Sequence, residues 1–312
     1  MKPPRHPTPR TENTTEELCL MGPRHLDELL DLVASFGLGD ATPSRSALVA
    51  RWREGVAEYA RLAVTEAGAA DAPTIRPLPK AMARHVARLS ELDGVNRTFD
   101  TVPVAFGLIE LDKLVISQYS MTRAVVERIC AAHPTPPSPK RLAELCLPLQ
   151  APAADFKLVG QNGREFTFAS DAHDMRFLDA QVVSPTRVQM GPVMGHAQAV
   201  VALSVGFSAN LLNVVRYNGR LVLNNGHHRA LALRAMGLRY VPCLIQPCAS
   251  STDLEQAATS EILGNADLYF ESPRPPLLRD FEHPGLTQAF LAPHMRRLLT
   301  VKIETQRRLL AI

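Results

Sequence analysis

Apolar residues recur with helical spacing through much of the first hundred residues. The segments "PRHLDELLDLVASFG" and "KAMARHVARLSEL" each place apolar side chains on one side, and a longer amphipathic pattern covers residues 44–67. Residues 1–20 are instead rich in Pro, Arg, Thr and Glu, a composition that favours a flexible tail. We therefore predict a tail over residues 1–20 and a helical N-terminal extension over residues 21–98.

From Thr101 onward the pattern changes to β-branched residues and turn signals. "TVPVAFGLIELDKLVISQ" predicts one bent strand or two short ones, and Asn162-Gly163 and Asn218-Gly219 predict two hairpins. "MRFLDAQVV", "AVVALSVGF" and "YVPCLIQ" predict further strands, and "MTRAVVERICAAH" and "KRLAELC" predict helices. The fold class predicted is α+β, with a small mixed β-sheet core over residues 99–248 and a C-terminal extension, 249–312, packed on that core.

The composition narrows the class of protein. Of 312 residues, 46% are hydrophobic and 21% are charged, values that are ordinary for a soluble globular protein. A net charge of +3 and 5% aromatic residues do not favour non-specific nucleic-acid binding or base stacking, so a nucleic-acid partner is not the favoured one. There is no long apolar run and no secretory signal pattern, so we expect a cytoplasmic protein without a membrane partner. The five cysteines form no CxxC pair, and we expect buried thiols and no metal site.

One segment, "RLVLNNGHHRALALRAMGLRYVPCLIQ" at residues 220–246, predicts a strand, a turn, a helix and a second strand. The helix is predicted to begin at about His227, directly after Asn225-Gly226. The first N–H groups of a helix lack intrahelical partners and carry the positive end of its dipole, and a glycine lets a ligand approach them. Two imidazoles and Arg229 add donors at the same place. The pattern thus predicts a phosphate-binding turn, with a tight corner bearing solvated side chains as the alternative.

The same segment resembles the signature of the ParB/sulfiredoxin superfamily, in which a strand runs into a Gly-x-(His/Arg)-Arg turn at a helix start. "IELDKLVISQ", at residues 109–118, resembles the first strand of that family. Sulfiredoxins have a nucleophilic cysteine where this chain has His227, and partition proteins of the family have Gly-Glu-Arg-Arg and bind CTP. Gly-His-His-Arg is most similar to the free-serine kinases of the family, which carry Asp where this chain has Asn225. The resemblance implies a ParB/sulfiredoxin-like core with nucleotide phosphates at this turn.

What the resemblance implies is a nucleotide-binding protein that transfers a phosphoryl or nucleotidyl group to an unidentified small-molecule acceptor. ATP is the expected nucleotide, and Mg²⁺ would accompany it. His228 is expected to neutralise charge that develops during transfer, and His227 to act as a second phosphate donor or as a general acid or base. The candidate nucleotide-binding residues are Asn225, Gly226, His228, Arg229, Gln118 and Arg176. The alternative is a non-catalytic regulatory or nucleic-acid-associated module, and a nuclease with clustered acidic metal ligands ranks third.

A kinase with Asn225 needs its carboxylate from elsewhere, because asparagine cannot act as a base or a charged metal ligand. The candidate carboxylates are Glu110, Asp112, Asp171, Asp174 and Asp179, each of which is better explained as a solvated charge at a strand end. Ser120 is predicted to cap a helix, and Ser208 and Asn210 to form a corner near the same end of the sheet. The proline-rich loop at residues 272–281 is predicted to be a rigid connection that presents Arg274 and Arg279, with a substrate lid as the alternative.

Overall fold

The computed structural model describes residues 14–36, 38, 42–133, 136–150, 154–172, 175–188, 195–207 and 210–310. The chain divides into two compact units, one made of residues 1–149 and 211–294 and the other of residues 150–210 and 295–312. The predicted α+β class is confirmed, because both helices and several sheets are present.

Most of the predicted helices are found close to their predicted positions. In the described residues they are α1 (Leu26–Ser35), α2 (Arg45–Thr65), α3 (Lys80–Ser90), α4 (Asp93–Thr98), α5 (Arg123–Ala131), α6 (Pro139–Cys146), α7 (His227–Ala235), α8 (Ser251–Ala257), α9 (Ser260–Leu263) and α10 (Ala266–Phe270). The start of α2 shows the local cause: Ser44 precedes the helix, and its Oγ accepts a hydrogen bond from the N–H of Ala47 at 3.3 Å.

Within the described ranges, the strands form sheets of six, three, three and two members. They are β1 (Thr14–Leu20), β2 (Ile75–Arg76), β3 (Ala105–Glu110), β4 (Val115–Ile116), β5 (Ser120–Thr122), β6 (Phe156–Asn162), β7 (Glu165–Ser170), β8 (Met175–Val183), β9 (Val200–Phe207), β10 (Asn213–Tyr217), β11 (Arg220–Asn225), β12 (Tyr240–Pro247), β13 (Thr287–Pro293) and β14 (Arg297–Lys302). The first unit holds the six-stranded sheet, in the order β2-β3-β12-β10-β11-β4, and the sheet β13-β1-β5.

The six-stranded sheet is mixed, as predicted, and β10 lies inside it. β10 is antiparallel to β11 and parallel to β12. The hairpin between β10 and β11 turns at Asn218 and Gly219, whose φ angles of 46° and 75° are both positive. Two positive φ values define the turn that matches strand twist, which is why Asn-Gly predicts this hairpin correctly.

The N-terminal segment differs from the prediction, because residues 14–20 are not a loose tail. They form β1, which pairs antiparallel with β13 on one side and with β5 on the other. Cys19 and Leu20 are fully buried. The polar composition around this seven-residue strand does not indicate a strand. Its partners β5 and β13 lie about a hundred and about 270 positions further along the chain.

The predicted core at residues 99–248 is interrupted by the second unit. β6 and β7 form the first predicted hairpin, whose turn falls at Gly163 and Arg164, one residue later than predicted. This unit contains the sheets β14-β7-β6 and β8-β9. The C-terminal extension is divided as well, since β14 pairs with β7 whereas β13 pairs with β1. Alternation in a sequence identifies strands but does not say which strands pair.

The proline-rich loop at residues 272–281 is tied down by ion pairs, and it does not present Arg274. Arg274 and Asp280 are each 2% exposed and form a bidentate ion pair at 2.7 and 2.6 Å. Glu66 accepts hydrogen bonds from Arg274 at 3.0 Å and from Arg279 at 2.8 Å. These contacts fix the loop on α2, so a moving lid does not fit them.

Candidate anion-binding site at the start of α7

The strand-turn-helix-strand prediction for residues 220–246 is confirmed by β11, α7 and β12. Gly226 precedes α7 with φ 97° and ψ 24°, a left-handed conformation that a glycine adopts without strain. At the other end, the N–H groups of Gly237 and Leu238 donate to the carbonyls of Arg234 and Leu233 at 2.8 and 3.1 Å. This pattern is a Schellman motif, and it fixes the nine-residue helix at both ends.

Gly226 is closely surrounded. A Cβ atom at this position would lie 3.3 Å from Arg229 Nη2 and 3.3 Å from two atoms of Leu212. Nη1 of Arg229 donates a hydrogen bond to the carbonyl oxygen of Leu145, at the end of α6, at 3.0 Å. The guanidinium is therefore held directly beside the turn, next to the positive end of the helix dipole.

His227 is turned into the interior of the first unit. Its side chain is buried, and its Nε2 atom is enclosed without a hydrogen-bond partner. Burial, assisted by the neighbouring His228, lowers the pKa of His227 from 6.5 to about 3. A neutral, enclosed imidazole cannot serve as a cationic phosphate ligand at pH 7, and the expected role of His227 as a donor or as a general acid or base stays a prediction.

His228 instead contacts the end of β5. Its Nε2 atom accepts a hydrogen bond from the backbone N–H of Thr122 at 3.1 Å. The hydroxyl of Thr122 in turn donates to Oε2 of Glu17, in β1, at 2.9 Å. The first residue of α5 is Arg123, so Thr122 rather than the predicted Ser120 occupies the capping position of that helix.

Glu17 belongs to a polar cluster that the sequence analysis missed. The cluster consists of Glu17, Arg24, Ser120, Thr122 and His228. Nη2 of Arg24 donates to Oγ of Ser120 at 2.6 Å. Burial raises the pKa of Glu17, against the opposing effects of the Thr122 hydrogen bond and the charge of Arg24. The segment "TTEELCL" shows no alternation of polar and apolar residues, so the sequence carried no periodic signal for this strand.

The other residues predicted to bind the nucleotide lie in different elements of the fold. Nδ2 of Asn225 donates to the carbonyl oxygen of Leu211 at 3.0 Å, which holds this amide at the turn. Nε2 of Gln118 donates to the carbonyl oxygen of Ser120 at 2.7 Å, beside the polar cluster. Arg176 lies in β8, in the second unit.

The predicted carboxylates have structural partners. Glu110 is buried and accepts hydrogen bonds from Arg239 at 2.7 Å and from the N–H of Thr74 at 3.3 Å. Burial opposes its ionisation, but these donors outweigh burial and lower the pKa of Glu110.

Three further carboxylates are held in the same way. Asp112 pairs with Arg234 at 3.1 Å, and Asp171 pairs with Arg296 at 2.7 Å. The carboxylate of Asp179 accepts from the N–H of Ala180 at 2.8 Å and from Gln181 at 2.7 Å. Asp174 and Ser208 lie outside the described residues.

A cleft of about 380 Å³ lies along the side of α7. Its apolar lining includes Leu18, Val126, Leu231, Phe281 and Ala289, and its charged lining includes Arg123, Glu127 and Glu282. Leu231 and Ala235, which also lines the cleft, follow His228 by three and seven positions. Residues with this spacing share one face of a helix, so the cleft extends along the face of α7 on which His228 lies.

The described part of the chain contains no group of three or more His, Cys, Asp or Glu side chains arranged to hold a metal ion. Cys19, Cys146, Cys243 and Cys248 are free, buried thiols, and Cys130 is a partly buried one. No helix among the described residues is both long enough and apolar enough to cross a bilayer.

Comparisons of the chain with protein-family models, with curated proteins and with solved structures find no match.

Proposed function

We propose that the turn at the start of α7 binds the phosphates of a nucleotide, with ATP as the expected nucleotide. The observation that carries this proposal is the helix start itself, where Gly226 is left-handed immediately before α7 and the guanidinium of Arg229 is held beside it. Backbone donors, the helix dipole and a fixed cation at one point are the features that phosphate groups require. The resemblance of "NNGHHR" to phosphate-binding turns supports the same ligand.

We further propose that the protein transfers a phosphoryl or nucleotidyl group from this nucleotide to a small molecule. The cleft beside α7 supports an acceptor site, because it lies along the helix face that carries His228. Mg²⁺ would enter with the nucleotide and neutralise phosphate charge.

A non-catalytic nucleotide-binding module is the second candidate, and a specific observation favours it. Glu110, Asp112, Asp171 and Asp179 are each held by an arginine or by local donors. A carboxylate committed in this way is a poor general base. Such a protein would bind the nucleotide and would not consume it.

Calorimetric titration with ATP, ADP and CTP in the presence of Mg²⁺ tests the proposal. We expect the wild type to bind ATP and the Arg229→Ala variant to bind it at least tenfold more weakly, the effect of losing one hydrogen bond to a charged group. Arg216→Ala is the matched control, because Arg216 is an exposed arginine in the neighbouring hairpin. Absence of nucleotide binding by the wild type refutes the proposal. Binding without turnover across a panel of hydroxyl and amino acceptors selects the non-catalytic module.

A further inference from the structure

We propose that Thr122 is a positioning residue that fixes the side chain of His228, in its neutral form, in the tautomer with its proton on Nδ1. The inference rests on the proposed phosphate site, since an Nδ1–H group there is a donor for the ligand. It assigns a role to the strand pair β1 and β5, which the sequence does not connect with the turn.

The chemistry of the hydrogen bond sets the tautomer. The backbone N–H of Thr122 is a donor only, and it lies 3.1 Å from Nε2 of His228. Nε2 must therefore offer a lone pair, and a neutral imidazole then carries its one proton on Nδ1. A backbone amide does not titrate in the physiological range, so this preference does not depend on pH while the ring is neutral.

The side chain of Thr122 is used in an unusual way for its position. Thr122 is the N-cap of α5, yet its side chain makes no capping hydrogen bond. A threonine in this position ordinarily accepts a hydrogen bond from the first turn, which stabilises the helix. Here the hydroxyl donates to Glu17 at 2.9 Å instead. The side chain of Thr122 therefore does not cap α5 and instead holds residue 122 against β1.

Strand register places Glu17 where it can do this. Glu17 is opposite Thr122 in the antiparallel pairing of β1 with β5, and Cys19 is opposite Ser120. The hydrogen bond from Arg24 to Ser120 joins the segment that follows β1 to β5. Thr122 is thus fixed by backbone pairing and by a side-chain hydrogen bond, and its N–H is aimed at His228 as a consequence. Such an arrangement holds a donor in place before the ligand arrives.

The tautomer is measured directly by long-range ¹H–¹⁵N correlation spectra of the whole chain, with His228 assigned by comparison with His228→Gln. We expect a protonated Nδ1 and an unprotonated Nε2 in the wild type. Thr122→Pro removes the N–H, and the φ of −71° at this position suits proline. We expect this variant to lose the tautomer preference and to bind ATP about tenfold more weakly, the effect of one misdirected hydrogen bond to a charged group. Thr122→Val retains the N–H and is expected to retain the tautomer.

The outcomes separate this inference from the proposed function. Failure of the wild type to bind ATP refutes the phosphate site, whereas the wild-type spectrum still reports the tautomer. A wild-type spectrum with the proton on Nε2 refutes the role of Thr122 even if ATP binds. Equal loss of the tautomer preference in the proline and valine variants would show that the hydroxyl, not the N–H, positions the ring. If the proline variant does not fold, the wild-type and valine spectra decide the question.

Discussion

Replacing Gly226 with alanine tests the geometry of the turn most directly. The φ of 97° at this residue lies in the left-handed region, where a side chain costs roughly 1–2 kcal/mol. The added methyl group would lie 3.3 Å from Cα and Cγ of Leu212, and crowding of this kind adds about 1 kcal/mol. We therefore expect Gly226→Ala to lower the free energy of unfolding by about 2–3 kcal/mol, or the melting temperature by roughly 5–10 °C.

The chain supplies a matched control at Gly219. Its φ of 75° is also left-handed, but a Cβ there would have nothing within 4 Å. Gly219→Ala therefore isolates the backbone cost, roughly 1–2 kcal/mol, from the crowding. Urea denaturation of both variants gives the two stabilities, and calorimetry with MgATP gives the affinities.

The affinities distinguish a structural glycine from a ligand-binding one. In Gly226→Ala the methyl group would also lie 3.3 Å from Nη2 of Arg229, so the guanidinium must move. We expect ATP affinity to fall at least tenfold in this variant, the effect of one lost hydrogen bond to a charged group, and to stay unchanged in Gly219→Ala. Wild-type ATP affinity in a folded Gly226→Ala variant would show that the ligand does not approach this turn.

Three further perturbations have defined outcomes. The pKa of His227 falls from 6.5 to about 3 on folding, so between these pH values the unfolded chain binds a proton that the folded chain does not. Lowering the pH from 7.5 to 5 should therefore reduce the free energy of unfolding by about 2 kcal/mol through His227. Urea denaturation of His227→Phe at the two pH values should lack this loss. Arg274→Met leaves Asp280 buried without its partner and should cost about 3–5 kcal/mol, whereas Arg274→Met/Asp280→Asn should cost less than the two single changes together in a double-mutant cycle. Ala235→Trp fills the cleft beside α7 and should abolish thermal shifts by small-molecule acceptors without affecting ATP affinity, whereas Ala124→Trp, at an exposed position of α5, should change neither.

What the sequence predicts correctly is local. Asn218-Gly219 specifies a turn through its φ angles, and Gly226 and Gly237 delimit α7 in the same way. These features depend on a few consecutive residues, so a single sequence contains them. The ParB/sulfiredoxin-like character of the core stays a prediction.

What the sequence does not predict is non-local. β1 is stabilised by β5 and β13, and no pattern within "TTEELCL" names those partners. The same holds for Arg274, whose charge suggests exposure until Asp280 and Glu66 are seen to enclose it. Glu17 escaped notice for both reasons, because it is a charged residue in a strand that looks like a tail. A site assembled from distant segments requires the fold before its members can be named.

The two adjacent histidines show how position on a helix separates residues of one type. Successive helical residues point about 100° apart, so His227 and His228 meet different surroundings. His227 is turned into the interior, where burial keeps its ring neutral, whereas His228 reaches the N–H of Thr122. A neutral ring enclosed among apolar atoms contributes to packing, and a ring fixed by a donor can present its own donor to an anion. Of the pair in "GHHR", it is therefore the second histidine that we assign to the proposed anion site.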